Sequence, residues 1–183
     1  MISIQSERLR LIPLDNSMLT RWKTVDREAM EKSLYLVPNR FDLEEFYQQE
    51  MNQALVDFWI PQTHKFPFEF CWYTNWEIIY KPSSCSVGGI GFSGLPNNEG
   101  VTEIGYVIDQ KFRNKGIATE AVKLLIDWAA QDEGLIKVIA ETPQENLGSQ
   151  HVLQKNGFIQ TSEKSIFINK EIPLFCWEKK IKK

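Results

Sequence analysis

Residues 101–142 change hydrophobic period twice, and few folds accommodate that double switch. "VTEIGYVID" reads as a strand. A cationic loop follows, and then Ile117, Ala121, Leu124, Leu125 and Trp128 recur at helical spacing. "LIKVIAET" returns as a short buried strand. A strand, a crossover helix and a second strand normally close as a parallel pair. Around this unit the pattern is that of hairpins. "TNWEIIYK" and "SVGGIGFSG" are joined by "PSSC", "NNEG" turns into residue 101, and "FIQTSEKSIFI" with "IPLFCWEKK" completes the sheet. The expected fold class is α+β, a mixed and mostly antiparallel central sheet with one parallel pair.

The first 70 residues read as mostly helical after one strand. "SERLRLIPL" is that strand, with Leu9, Leu11 and Pro13 on one side. A helix starts at Asp15 or Asn16 and breaks near Asp26, and another spans Leu43 to Trp59, ended by Pro61 and Pro67. Gly134 is placed as the C-cap of the helix that opens near 117, Pro143 interrupts the strand after it, and "NLGSQHVLQKNG" is a short helix stopped by Gly157. No repeat, low-complexity tract or linker divides the 183 residues, so one domain over 1–183 is expected.

A net charge of −3 argues against a general nucleic-acid binder, and the basic "WEKKIKK" reads as a solvated strand end. Three cysteines without C-x-x-C spacing suggest neither a disulfide framework nor zinc, and two distant histidines, His64 and His151, suggest no metal site. The start lacks a signal-type apolar region, and no run approaches the ~18 apolar residues of a membrane span. A reducing, cytoplasmic setting without a membrane partner is the expectation.

Two glycine-bearing segments compete for attention. Gly89-Ile90-Gly91-Phe92-Ser93-Gly94 matches G-x-G-x-x-G, a motif that works as the turn between a strand and a helix. Here the glycines lie inside a predicted strand and lead into a turn at Leu95-Pro96-Asn97-Asn98, so they read as strand glycines that allow close backbone approach or a bulge. Arg113-Asn114-Lys115-Gly116-Ile117-Ala118 has the context the first segment lacks: a strand ends near Asp109, and a helix opens near Gly116 with its first amides free. Such amides stabilise an anion by about 0.3–1 kcal/mol per charge, up to ~2 in sheltered geometry. Gly116 also removes a Cβ that would hold a ligand off the backbone. Taken alone, the segment reads first as an ordinary solvated helix cap, since charged surface loops are common. It is not a P-loop, which needs lysine after the glycine and a second glycine five residues before it.

"EIGYVIDQKFRNKGIATEAVKLLIDWA" followed by "VIAETPQENLGSQHVLQKNGF" resembles the coenzyme A-binding core of the GNAT superfamily of N-acetyltransferases. Residues 113–118 satisfy its signature, Q/R-x-x-G-x-G/A. Glu103-Ile104-Gly105-Tyr106 upstream and Asn146-x-x-Ser149 through Lys155-x-Gly157-Phe158 downstream look like the RimJ/RimL-type branch, which includes ribosomal-protein N-terminal acetyltransferases. "SERLRLIPL" and "VGGIGFSG" extend the resemblance over most of the chain; residues 30–75 are least distinctive.

The resemblance implies a single GNAT domain with its coenzyme A core at about 87–158, helices on both faces of the sheet, and a splay between the strands of 101–109 and 135–142 that takes the pantetheine arm. It implies acetyl-CoA as acyl donor, no metal, and direct attack by an amine, either a protein N-terminus or a small molecule. Amides of Arg113, Asn114, Lys115, Gly116, Ile117, Ala118 and Thr119 would cradle the pyrophosphate, with the Arg113 and Lys115 side chains available for phosphates. Backbone groups of Tyr106, Val107 and Ile108 would bind the arm as a strand binds its partner, and an amide near Tyr106 or Val107 would polarise the thioester. Asn146 would reach the arm from the other side, or serve as a helix N-cap. Ser149 would protonate the departing thiolate, or stand as an exposed helix serine. Glu103 would take the amine's proton, or serve a structural pairing.

Several further readings stay open. Trp22, Phe68, Phe70, Trp72, Tyr73 and Trp76 line an acceptor pocket or belong to the core. A coenzyme A-binding regulator without turnover is the alternative to an enzyme, and dimers occur in this branch. The three cysteines match no nucleophile motif and read as packing.

Overall fold

In the computed structural model, which describes residues 2–168 and 170–181, the strands are β1 (Ile4–Gln5), β2 (Leu9–Pro13), β3 (Trp76–Tyr80), β4 (Cys85–Phe92), β5 (Val101–Ile108), β6 (Lys137–Pro143), β7 (Ile159–Ile168) and β8 (Lys170–Lys180). They form one sheet in the order β1-β2-β3-β4-β5-β6-β8-β7, antiparallel at every junction except β5–β6. This is the expected α+β architecture with one parallel pair. The edge strand β1 was not foreseen, since two residues carry no alternation to read.

Helices cover both faces. On one side α5 (Ile117–Ala129) buries Ile117, Ala121, Val122, Leu125, Ile126 and Ala129, the stripe its spacing predicts, against Leu11, Ile78, Ile90 and Ile104 of the sheet. With it lies α6 (Leu147–Lys155), which contributes Leu153. On the other side α1 (Asn16–Thr24), α2 (Arg27–Ser33), α3 (Glu45–Ala54) and α4 (Ile60–Lys65) enclose a second core of Leu19, Trp22, Met30, Met51 and Leu55 over Ile12 and Ile79. Alternation along β2 and β3 sends Leu11 and Ile78 to the first core and Ile12 and Ile79 to the second.

Local chemistry sets most boundaries. Asp15 caps α1 by accepting the Met18 N–H at 2.9 Å, and Asp26 caps α2 by accepting that of Ala29 at 2.7 Å, which accounts for the break at Asp26. Gly157 (φ +78°) ends α6 in a Schellman arrangement, with the Phe158 N–H on Leu153 O at 3.0 Å and the Gly157 N–H on Gln154 O at 3.0 Å.

Two expected ends are corrected. The helix expected to stop at Trp59 continues from α3 through a π turn (Leu55–Trp59) into α4, so Pro61 lies inside the helical run. The π turn widens the coil ahead of the ring, which accommodates Pro61 near the start of α4. Helix α5 ends at Ala129 and not near Gly134; there the Asp132 carboxylate accepts the Gly134 N–H at 2.7 Å, in a side-chain-capped turn of its own.

Of the G-x-G-x-x-G glycines, Gly89 and Gly91 sit within β4 and Gly94 follows it at φ +134°. A Cβ on Gly89 would lie 2.2 Å from Asn75 Oδ1, and one on Gly91 2.5 Å from Thr74 O, so close packing excludes a side chain there. Beside them a buried polar network joins the α2 side to the sheet. Arg27 reaches Glu77 through Nη1 at 3.2 Å and Nη2 at 2.5 Å, and its Nε lies 3.2 Å from Glu31. Its guanidinium also stacks over the Phe41 ring at 3.9 Å. Asn75 donates to Glu77 at 2.8 Å and Ser86 bonds its other oxygen.

Glu77 and Glu31 are both buried, at 0% and 1% exposure, so one arginine compensates two carboxylates removed from water. Replacing Arg27 by methionine leaves both without a cation and should cost about 3–5 kcal/mol. Urea denaturation of Arg27→Met against wild type reads this directly, and a loss below about 1 kcal/mol, the scale of an exposed pair, would refute it.

Candidate active site

The parallel pair is short. β5 and β6 share three rungs, Val101↔Lys137, Thr102↔Val138 and Glu103↔Ile139. From Ile104 to Ile108 β5 pairs only with β4, while β6 stays with β8 as far as Pro143↔Leu174. A cleft of about 970 Å³ lies along this divergence, with Tyr106, Val107 and Ile108 on one bank and Pro143 to Asn146, Gly148 and Ser149 on the other. The backbone edge of β5 therefore faces the cleft with no strand beside it, able to pair with an extended ligand.

At one end of the cleft lies the start of α5. A 3₁₀ turn (Gln110–Phe112) leads out of β5, Asn114 adopts φ +61° and Gly116 φ +74°, and no side chain caps the helix. The first-turn amides therefore have no intrahelical or side-chain acceptor. Arg113, Asn114, Gly116, Ile117, Ala118 and Thr119 all line the cleft. Arg8 braces the loop from behind: its Nη1 donates to Lys115 O at 2.9 Å and its Nε pairs with Glu120 at 2.6 Å.

The two loop cations are held differently from the expectation. Arg113 forms a forked pair with Glu44, Nη1 to Oε1 at 2.5 Å and Nη2 to Oε2 at 2.7 Å, while its Nε donates to Ile108 O at 2.9 Å. This pair holds the Glu44 carboxyl below the usual range. Lys115 does not line the cleft: its Nζ donates to Lys111 O at 3.0 Å and lies 5.0 Å over the Phe112 ring.

Polar side chains from three elements meet across the cleft. Tyr106 OH lies 2.8 Å from Ser149 Oγ and donates to Ser149 O at 3.1 Å. Asn146 caps α6, accepting the Ser149 N–H on Oδ1 at 3.0 Å, and its Nδ2 donates to Tyr47 OH at 2.9 Å. Burial pushes the Tyr106 phenol up to about 12 and raises that of Tyr47, so both stay protonated hydroxyls at neutral pH.

Glu103 lies elsewhere. Its neighbours Thr102 and Ile104 are buried, Ile104 in the α5-side core, so by alternation its side chain is on the opposite face of the sheet from α5. It stands at the last rung, half-buried, with Gly105 next but one to it; a Cβ on Gly105 would meet nothing within 4 Å. Burial, and secondarily the charge of Glu141, raises the Glu103 carboxyl above its ordinary value.

The Acetyltransferase (GNAT) domain family matches residues 8–159. The chain is 30% identical over 159 residues to the uncharacterized N-acetyltransferase YjdG of Bacillus subtilis, covering 87% of this chain and 90% of that one. It belongs to the GNAT family of N-acetyltransferases. Solved structures share the fold at lower identity. The ribosomal-protein-S5-alanine acetyltransferase of Vibrio fischeri superposes with a TM-score of 0.68 at 20% identity, over 99% of this chain and 97% of the other. RimL, the ribosomal L7/L12 alpha-N-protein acetyltransferase, in complex with coenzyme A, gives 0.67 at 16%, over 98% of each.

The GNAT fold brings together Tyr106, Val107, Ile108, Arg113, Asn114, Gly116, Ile117, Ala118, Thr119, Asn146 and Ser149 in one cleft and leaves Lys115 and Glu103 outside its lining. Sequence reasoning missed Glu44, Phe46 and Tyr47 as lining residues and Arg8 as the brace. Phe46 and Tyr47 carried a helical apolar signal, which marks packing and not which cleft it faces. Among the open aromatics, Trp22, Trp72 and Trp76 are core, Phe70 and Tyr73 pack against it, and Phe68 is exposed. Cys71 and Cys85 are buried and free, and burial pushes the Cys71 thiol up to about 11, which makes it a poor nucleophile.

Asn146→Ala in this GNAT protein removes both the α6 cap and the link to Tyr47. The expected loss is about 1–2 kcal/mol, measured by thermal or urea unfolding; a loss within about 0.3 kcal/mol would leave the cap without weight.

Proposed function

We propose that this protein moves an acetyl group from acetyl-CoA to the N-terminal amine of a protein, by direct attack in a ternary complex. One observation carries the reading: the unpartnered edge of β5 and the uncapped start of α5 open into the same cleft. An extended amide-bearing arm ending in a pyrophosphate is complementary to that combination.

The chain's residues then take these roles. The amides from Arg113 to Thr119 hold the pyrophosphate, with the positive φ of Gly116 letting the backbone close on it. Backbone groups of Tyr106, Val107 and Ile108 hold the arm, and an amide at Tyr106 or Val107 donates to the thioester oxygen as negative charge develops there. Asn146 holds the arm from the α6 bank. The acceptor approaches over Gly105, on the face that carries Glu103, and Glu103 takes the amine's proton directly or through water. Ser149 Oγ–H passes its proton to the leaving thiolate and is reprotonated from solvent through the Tyr106 hydroxyl 2.8 Å away, while Glu103 returns the amine's proton to solvent, so the two transfers balance. Neither step passes through a covalent enzyme intermediate.

Two arguments favour an N-terminal acceptor. The two solved structures named above that share the fold are ribosomal-protein acetyltransferases. An α-amine, with a pKa of about 7.7–8.0, also needs far less from a carboxylate base than a lysine at about 10.4. Transfer from labelled acetyl-CoA to peptides and small amines tests the choice: peptides with free N-termini should be acetylated, and the same peptides with blocked N-termini should not. Acetylation of small amines alone would move the acceptor to that class, and coenzyme A binding without transfer to any amine would make the protein a regulator.

Two substitutions test the roles. Gly116→Trp should weaken acetyl-CoA binding by at least about tenfold, or about 1.4 kcal/mol; unchanged affinity in calorimetry would remove the loop from the site. Because the Glu103 carboxyl is raised, its basic form fills in above the ordinary glutamate range, and kcat/KM should rise with pH through that higher value. Glu103→Gln should leave acetyl-CoA affinity intact, lower kcat by about 10²–10⁴-fold and abolish that limb. A variant with the wild-type profile would reassign the base.

A further inference from the structure

One wall of the cleft lies outside the strand–loop–helix core. It is the first turn of α3, whose N-cap is Glu44 and which carries Tyr47; both line the cleft. Glu44 grips the loop bank through Arg113, and Tyr47 grips the α6 bank through Asn146. The segment leading into α3 is fastened to the same loop. Asp42 O accepts the Gln110 N–H at 3.0 Å, and Asn39 Nδ2 donates to Asp109 Oδ2 at 3.0 Å. Residues 39–47 thus touch both banks.

The charge of Glu44 has the wrong sign for a phosphate site. Arg113 spends Nε on Ile108 O, which leaves its two terminal nitrogens as the fork available to an anion, and Glu44 holds both. A carboxylate and a phosphate ask for the same fork, so the two compete for one set of donors. The pair is built to yield. Its partners are 34% and 45% exposed, and exposed pairs add little net stability. Arg27–Glu77, by contrast, is buried at 16% and 0% exposure and has no route for a competitor. Nor does α3 need the Glu44 carboxylate, which makes no capping hydrogen bond.

We propose that Glu44 is a built-in competitor of the phosphates of coenzyme A, holding Arg113 until a phosphate displaces it and so setting the affinity of the cleft. This rests on the coenzyme A reading above. It makes Glu44 an affinity-lowering residue, the opposite of what its place in the lining would suggest for a ligand contact.

The test is isothermal titration of the full chain with coenzyme A and with pantetheine, which shares the arm and lacks every phosphate. Glu44→Gln keeps the shape of the side chain, and Glu44→Ala removes any residual hydrogen bond to Arg113; thermal midpoints near wild type establish that both are folded. Both variants should bind coenzyme A about three- to tenfold more tightly at low salt, the scale of releasing one exposed ion pair and its repulsion. The gain should shrink as salt is raised, be absent for pantetheine, and largely disappear in an Arg113→Gln background. Folded variants that bind coenzyme A no better than wild type, or that gain equally for pantetheine, would overturn the inference and leave the coenzyme A reading standing. A wild-type chain that does not bind coenzyme A would instead overturn the reading of the cleft, and this inference with it.

Discussion

Everything at the site depends on a parallel ladder that stops after three rungs. Had β5 and β6 stayed paired beyond Glu103↔Ile139, the β5 edge would be satisfied by its neighbour and the space between β5 and α6 would be closed sheet. Each strand keeps its other partner, β4 for β5 and β8 for β6, so the two diverge without fraying. The divergence produces three things together. It leaves one backbone edge free to pair, it sets α6 across from the loop that starts α5, and it leaves open space at Gly105 on the face that carries Glu103. Glu103 stands at the last rung, next but one to that open space.

The second constraint is the buried network around Arg27. It ties α2 to β3 and β4 through Glu31, Glu77 and Ser86, and Asn39 extends it to Asp109, the residue from which the loop before α5 departs. Asp109 is fully buried and accepts the Lys111 N–H at 3.0 Å, which fixes the first turn of that loop. The helices of the second core and the loop that precedes α5 therefore share one polar core. Groups buried away from water have few alternative partners, so that core holds the loop's geometry firmly. The exposed Glu44–Arg113 pair, one turn further on, is the loosely held part of the same connection.

Much of this was legible in order along the chain. The switch from strand to helix period after residue 109, a cap at Asp15 or Asn16, a break near Asp26 and Gly157 as a helix stop are all local signals, and local hydrogen bonds decide them. The glycines of β4 were correctly separated from those of a dinucleotide loop because the residues after Gly94 cannot start a helix. The errors were also physical. Pro61 signals a helix end because a proline ring clashes in a regular α-helix, and the sequence offers no sign of the π turn that accommodates it. Gly134 was read as a cap because glycine favours that place, whereas the carboxylate of Asp132 had already made the turn.

The sequence by itself determined the strands and helices other than β1 and the run through the π turn into α4, the parallel crossover, and the family to which the chain belongs, because these are written in periodicity, capping chemistry and short motifs with fixed spacing. Tertiary structure alone decided which faces meet. That α3 would bring Glu44 to Arg113 across 69 positions, that Tyr47 would reach Asn146 across 99, and that Arg8 would brace the loop behind Gly116 are consequences of packing two helical layers on one sheet. A side chain's partner over such distances depends on the twist of the sheet and the angle at which each helix crosses it. No spacing in the sequence encodes either.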